Sequence, residues 1–126
     1  MSNSKTLAFG IAETLAAHSG GDVVVLDMAE ASGWTDYFVL ATATSSTHMR
    51  GLSRFVGEYC AQTAAKPLNK PDTAEDQSWL LIDLGDVIVH IMNVEARAFY
   101  ELEKLWFKAK ATKIEAPGPV AASEKQ

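Results

Sequence analysis

Cysteine is almost absent from this sequence: Cys60 is the only one in 126 residues. A lone thiol cannot close an internal disulfide, and its use fits a reducing compartment. Basic residues are in deficit, with 11 Lys and Arg against 16 Asp and Glu and a formal net charge of −5. No basic block interrupts that balance, so the footprint of a free-standing nucleic-acid binder is missing. Long apolar runs are missing too; Val87-Ile88-Val89 and its like stop far short of a bilayer span. Met1-Ser2-Asn3-Ser4-Lys5 has neither the charged start and apolar stretch of a secretory signal nor the arginines of a transit peptide. What remains is 48% hydrophobic and 21% charged, the balance of one ordinary globular domain. The expectation is a soluble, acidic, cytoplasmic protein.

Hydropathy patterning orders the chain. Leu7, Ile11 and Leu15, flanked by Ala8, Ala12 and Ala16, recur at helical spacing, with Ser4 as a cap and Gly20-Gly21 as a stop. Asp22 to Met28 is β-branched and apolar, which predicts a strand. Tyr37 to Thr42 is apolar on both alternating faces, as in a central strand covered on both sides. After the cap residues Thr44-Ser45-Ser46, a helix face reads Met49, Leu52, Phe55, Val56, Tyr59 and Cys60, with Gly51 and Gly57 weakening it. Residues 66–77 form a polar, proline-bearing loop.

Leu84-Gly85-Asp86-Val87 then predicts a two-residue hairpin turn of type II′, where glycine supplies the positive φ. That turn pairs Leu84 with Val87, Ile82 with Val89 and Leu80 with Ile91, an entirely aliphatic face. A last helix from Asn93 or Val94 is expected to bury Phe99, Leu102, Leu105 and Trp106. Residues 1–115 make the domain and 116–126, rich in Ala, Pro and polar residues, a disordered tail. The order α-β-β-α-β-β-α means an α+β fold, a mixed β-sheet with helices packed mainly on one side.

Catalytic constellations are missing. His18, His48 and His90 fall on three separate elements, so no metal-ligand spacing arises and no metal or cofactor is expected. There is no P-loop or GxGxxG. Thr44 to His48, with Asp36, invites a nucleophile reading, yet the hydroxyls are better explained as helix caps. An anion at that helix start, helped by His48 and Arg50, is the residual alternative. Asp83 and Asp86 read as a strand end and a turn residue before they read as a cation site.

The second face of the hairpin carries more information. Trp79 stands opposite Met92, Leu81 opposite His90, and Asp83 opposite Ile88. Either a helix covers this face and Trp79 is core, or the face meets a partner. An aromatic anchor among mixed polar and apolar neighbours favours the partner.

Three segments together resemble the ribosomal silencing factor (Iojap) family: Thr35-Asp36-Tyr37-Phe38-Val39, Thr44-Ser45-Ser46-Thr47-His48, and Trp79 through His90 running on to Glu95 through Trp106. The likeness spans about residues 5 to 107, with the hairpin and final helix as its specific part. Ala43 stands where the family usually has glycine, and the loop at 66–77 lacks the usual Glu-Gly pair. The resemblance implies a nucleotidyltransferase-like fold without the catalytic set of that chemistry. It also implies a non-enzymatic translational repressor, which binds the fourteenth large-subunit ribosomal protein and blocks joining of the small subunit under nutrient limitation. Carried onto this chain, the partner-binding residues are Trp79, Leu81, Asp83, His90, Met92 and Tyr100. An acidic protein reaches an RNA-rich particle by docking on basic protein there, since rRNA phosphate repels it. Two other readings stay open. One is a small nucleotidyl- or phosphoryl-transfer enzyme using Ser45, Ser46, His48 and Asp83; the other is a homodimer pairing the same sheet face.

Overall fold

The computed structural model describes residues 4–29, 35–68, 78–100 and 109–115, with the backbone alone at Tyr100. Helix α1 (Ser4–Ala17) leads into strands β1 (Gly21–Asp27) and β2 (Tyr37–Ala43), followed by helix α2 (Ser46–Gln62). The hairpin strands β3 (Trp79–Asp83) and β4 (Val87–Asn93) come next, then α3 (Val94–Tyr100) and β5 (Lys110–Lys113). They build one five-stranded sheet in the order β3-β4-β2-β1-β5. Only β2 and β4 pair in parallel; the other neighbours are antiparallel. This is the mixed α+β arrangement expected, with one strand more.

Alternation along the strands divides the core in two. Val23, Val25, Val39, Ala41, Leu80, Ile82, Val87, Val89 and Ile91 pack against Ala8, Ile11 and Leu15 of α1 and Met49, Leu52, Val56 and Cys60 of α2. The opposite face gathers Val24, Leu26, Met28, Phe38, Leu40, Ile88 and Met92 with Ala96 of α3. Strand β2 lies at the centre and, after Tyr37, is buried throughout, as its unbroken apolar run predicts.

The hairpin register is the one that its turn dictates. Leu80 pairs with Ile91, Ile82 with Val89, and Trp79 with Met92. Gly85 takes φ +85°, and the Leu84 N–H donates to the Val87 carbonyl at 2.9 Å. Capping of α2 is also as expected: the Ser45 hydroxyl accepts from the His48 N–H at 3.0 Å. At the end of α1, however, the left-handed residue is Ser19, with φ 71°. Gly20 serves a different need there, because a Cβ on it would lie 2.8 Å from the Leu15 carbonyl oxygen.

Three expectations require correction. First, the second face of the sheet is not open: Met92 is 0% exposed and His90 5%. Leu26, Met28, Phe38 and Leu40 make that face apolar as well, and a large apolar face must be covered in water. Second, α3 does not bury Phe99, which is 79% exposed. Its phase is set by the Asn93 side chain, which accepts from the Ala96 N–H at 2.7 Å, and by Arg97. The Arg97 guanidinium donates to the Thr42 hydroxyl at 3.0 Å and the Asp22 carbonyl at 2.8 Å. Phe99, two residues on, is turned about 200° around the helix from Arg97. Leu102, Leu105 and Trp106 lie outside the described residues, as do the tail and most of the polar loop.

The third correction is the added strand. Lys110–Lys113 pairs with β1, and all four of its residues are exposed. Hydrophobic patterning cannot signal such a strand; backbone pairing along β1 holds it, and its two lysines suit an outer edge.

Candidate functional site

Trp79 and Leu81 sit on β3, the outermost strand on one side of the sheet. Strand alternation turns both side chains, with Asp83, away from α1 and α2. Leu81 is 37% exposed and Trp79 is half-buried. The two therefore present apolar surface at the margin of a face whose centre is closed. Asp83 bounds the patch, its carboxylate accepting from the Gly85 N–H at 2.9 Å. That bond ties Asp83, expected as a solvated strand end, into the hairpin turn.

His90 lies directly behind Trp79. It pairs with Leu81 across the strands, which makes Trp79 its diagonal neighbour and within reach of a large ring. The indole N–H donates to His90 Nδ1 at 3.0 Å, with ring centroids 5.7 Å apart. Phe38 meets the other side of the imidazole edge-on, its centroid 4.6 Å away. Burial lowers the His90 pKa from 6.5 to about 4, so the ring is neutral near pH 7. Because an indole N–H is only a donor, Nδ1 is the acceptor and the proton resides on Nε2. Met92 is fully enclosed below Trp79. Of the six residues expected to meet a partner, Trp79, Leu81 and Asp83 thus come together at the surface. His90 and Met92 form their floor. The backbone of Tyr100 closes α3, and its side chain is outside the described residues.

The alternative chemistry finds little geometry. Ser45 is occupied as a cap. The lone pair of His48 Nδ1 receives the Thr44 N–H at 3.0 Å, with the Thr44 hydroxyl at 3.3 Å, while Nε2 lies 3.2 Å from the His18 carbonyl oxygen. Asp36 stands before the start of β2 and accepts from the Ser4 hydroxyl at 2.9 Å, the length of that strand from Thr44. Among the described residues, no three His, Cys, Asp or Glu side chains gather as metal ligands. A small cavity lined by Lys5, Phe9, Tyr37 and Lys110 lies on the α1 side of the sheet, away from Trp79. No described helix is long and apolar enough to cross a membrane.

Comparison with known proteins decides the lineage. The family model for "Ribosomal silencing factor during starvation" matches residues 1–126. This chain belongs to the ribosomal silencing factor family. It is 37% identical over 101 residues to the ribosomal silencing factor of Treponema pallidum, covering 79% of this chain and 88% of that one. It is 31% identical over 87 residues to mouse "Mitochondrial assembly of ribosomal large subunit protein 1", covering 68% of this chain and 38% of the mouse protein. A crystal structure of a Chromobacterium violaceum protein shares the fold, with a TM-score of 0.77 and 24% identity over 95% of this chain and 100% of that one. Family membership makes this a ribosome-associated factor with a silencing role, and the relatives carry the names of silencing factors rather than of enzymes. Sequence reasoning found the hairpin and its register. It missed that His90 and Met92 are buried, because alternation assigns a face and not its cover.

Proposed function

We propose that this chain represses translation by docking on the large ribosomal subunit, through its fourteenth protein, and occupying the ground that the small subunit must approach. The observation that carries this reading is the surface pair Trp79 and Leu81, held on a rigid sheet margin in a silencing-factor fold. Rigid aromatic anchors supply contact area at small entropic cost, and polar neighbours such as Asp83 set orientation. The net charge of −5 favours a basic ribosomal protein over rRNA as the docking ground. Occlusion needs affinity and bulk alone; no group in the site has to be reactive. Tyr100 belongs to the same proposed contact, through its place at the end of α3.

Sedimentation with isolated large subunits tests the proposal. The protein is expected to travel with the subunit and to reduce its association with small subunits; protein that stays at the top of the gradient overturns it. Within the complex, Trp79→Ala is expected to weaken binding by about 2 kcal/mol, roughly 30-fold. Unchanged affinity in a folded Trp79→Ala protein removes Trp79 from the contact.

A further inference from the structure

We propose that His90 acts as a positioning residue, fixing the Trp79 indole in the orientation that meets the ribosomal partner. The inference rests on the reading of Trp79 as a contact. Its own footing is the cost of a histidine at this place. His90 is 5% exposed among Phe38, Leu40, Ile88 and Met92, where an aliphatic residue would satisfy the core. Among the described residues its Nε2–H has no acceptor, and a buried unpaired donor is a standing penalty. What histidine supplies that leucine cannot is one hydrogen-bond acceptor, and that acceptor receives the Trp79 indole at 3.0 Å.

The bond has a mechanical consequence. A partly buried tryptophan on an outer strand still has alternative rotamers, and binding selects one. Nδ1 ties the indole N–H to the sheet, while Phe38 packs edge-on against the imidazole and limits its own movement. The ring that would enter the partner is therefore ordered before the encounter. His90 itself has almost no surface to offer and acts only through Trp79.

The full-length protein is titrated against large subunits as wild type and as Trp79→Ala, His90→Leu, His90→Asn, Trp79→Phe and the Trp79→Phe/His90→Leu double variant. The asparagine side-chain oxygen stands near the place of Nδ1 and can accept the same bond. His90→Leu is expected to bind about five- to tenfold more weakly, the range for one rotamer-rich side chain left unordered. His90→Asn should restore affinity to near wild type, and His90→Leu should cost nothing further in the Trp79→Phe background. The Trp79 indole N–H resonance, protected from exchange in the wild type and in His90→Asn, should lose protection in His90→Leu. Should His90→Leu fail to fold, Trp79→Phe, which keeps a ring but no donor, is expected to show a comparable loss. If Trp79→Ala abolishes binding while His90→Leu binds as wild type, or if His90→Asn is as weak as His90→Leu, the positioning role is overturned and the contact stands. If Trp79→Ala binds as wild type, the contact reading fails and the inference with it.

Discussion

Acid should destabilise this protein through His90, by an amount that follows from its burial. In the unfolded chain the imidazole takes up a proton near its ordinary pKa of 6.5; in the fold it refuses one until about pH 4. Between those values the unfolded state binds more protons, so stability falls as pH falls. Near pH 5 protonation of this one group favours the unfolded chain by a factor of about 30, or about 2 kcal/mol, against a factor close to 1 near pH 7. The loss levels off below the folded pKa at about 3 kcal/mol. Against a total stability of roughly 5–15 kcal/mol for a domain of this kind, either figure is large. Urea unfolding followed by circular dichroism near pH 7 and near pH 5 measures it. The quantity that isolates this one group is the difference between wild type and His90→Asn. That variant keeps an acceptor for Trp79 and cannot be protonated. The wild type should lose about 2 kcal/mol more than the variant over this interval. Parallel losses in the two proteins would falsify the assignment of the acid response to His90.

Three further perturbations test the packing that supports the site. Ile91→Ala, at a fully buried position between β4 and the two large helices, should cost about 3 kcal/mol in urea unfolding; a loss below about 1 kcal/mol would mean that the core collapses into the gap. Gly20→Ala places a Cβ 2.8 Å from the Leu15 carbonyl oxygen and should lower the melting temperature by several degrees, about 1–2 kcal/mol, whereas an unchanged melt would show that the end of α1 shifts freely. Arg97→Ala removes the guanidinium bonds to Thr42 and Asp22, and should cost about 1–2 kcal/mol with Arg97→Lys only partly restoring it; full recovery by lysine would show that charge rather than the forked geometry holds α3.

Where local chemistry alone decides a feature, the sequence was sufficient. The Gly85 turn fixes the register of the whole hairpin, because a two-residue loop leaves only one pairing for Leu80, Ile82 and their partners. Ser45 is a cap because a hydroxyl precedes an amphipathic run. The double burial of β2 follows from an apolar run without alternation. Features decided by distant parts of the chain were not legible. Lys110–Lys113 is a strand only because β1 offers it a backbone edge. The phase of α3 depends on Arg97 finding Thr42 and Asp22, which lie 55 and 75 positions away in the chain. The burial of Met92 and His90 belongs to a face that β1 and β2 also make apolar and that packs with Ala96 of α3.

That burial changes how the site must work. A sheet face left open would offer a broad and flat surface, and any of its side chains could contribute to binding. With Met92 at 0% and His90 at 5% exposure, the margin along β3 is what remains for the hairpin to present. A narrow margin places most of the hairpin's share of the interaction on few side chains, which is the condition for a dominant anchor. It also makes the anchor depend on what lies behind it, since an edge strand lacks a neighbour on one side to brace its rings. In this chain the brace comes from the adjacent strand, as one imidazole nitrogen 3.0 Å from the Trp79 indole. The residue that the hydrophobic pattern least explains, a histidine in the middle of Ile88-Val89-His90-Ile91, is thus the one that joins the core to the surface. A large effect from Trp79→Ala and a smaller, acceptor-dependent effect at His90 are two consequences of the same geometry.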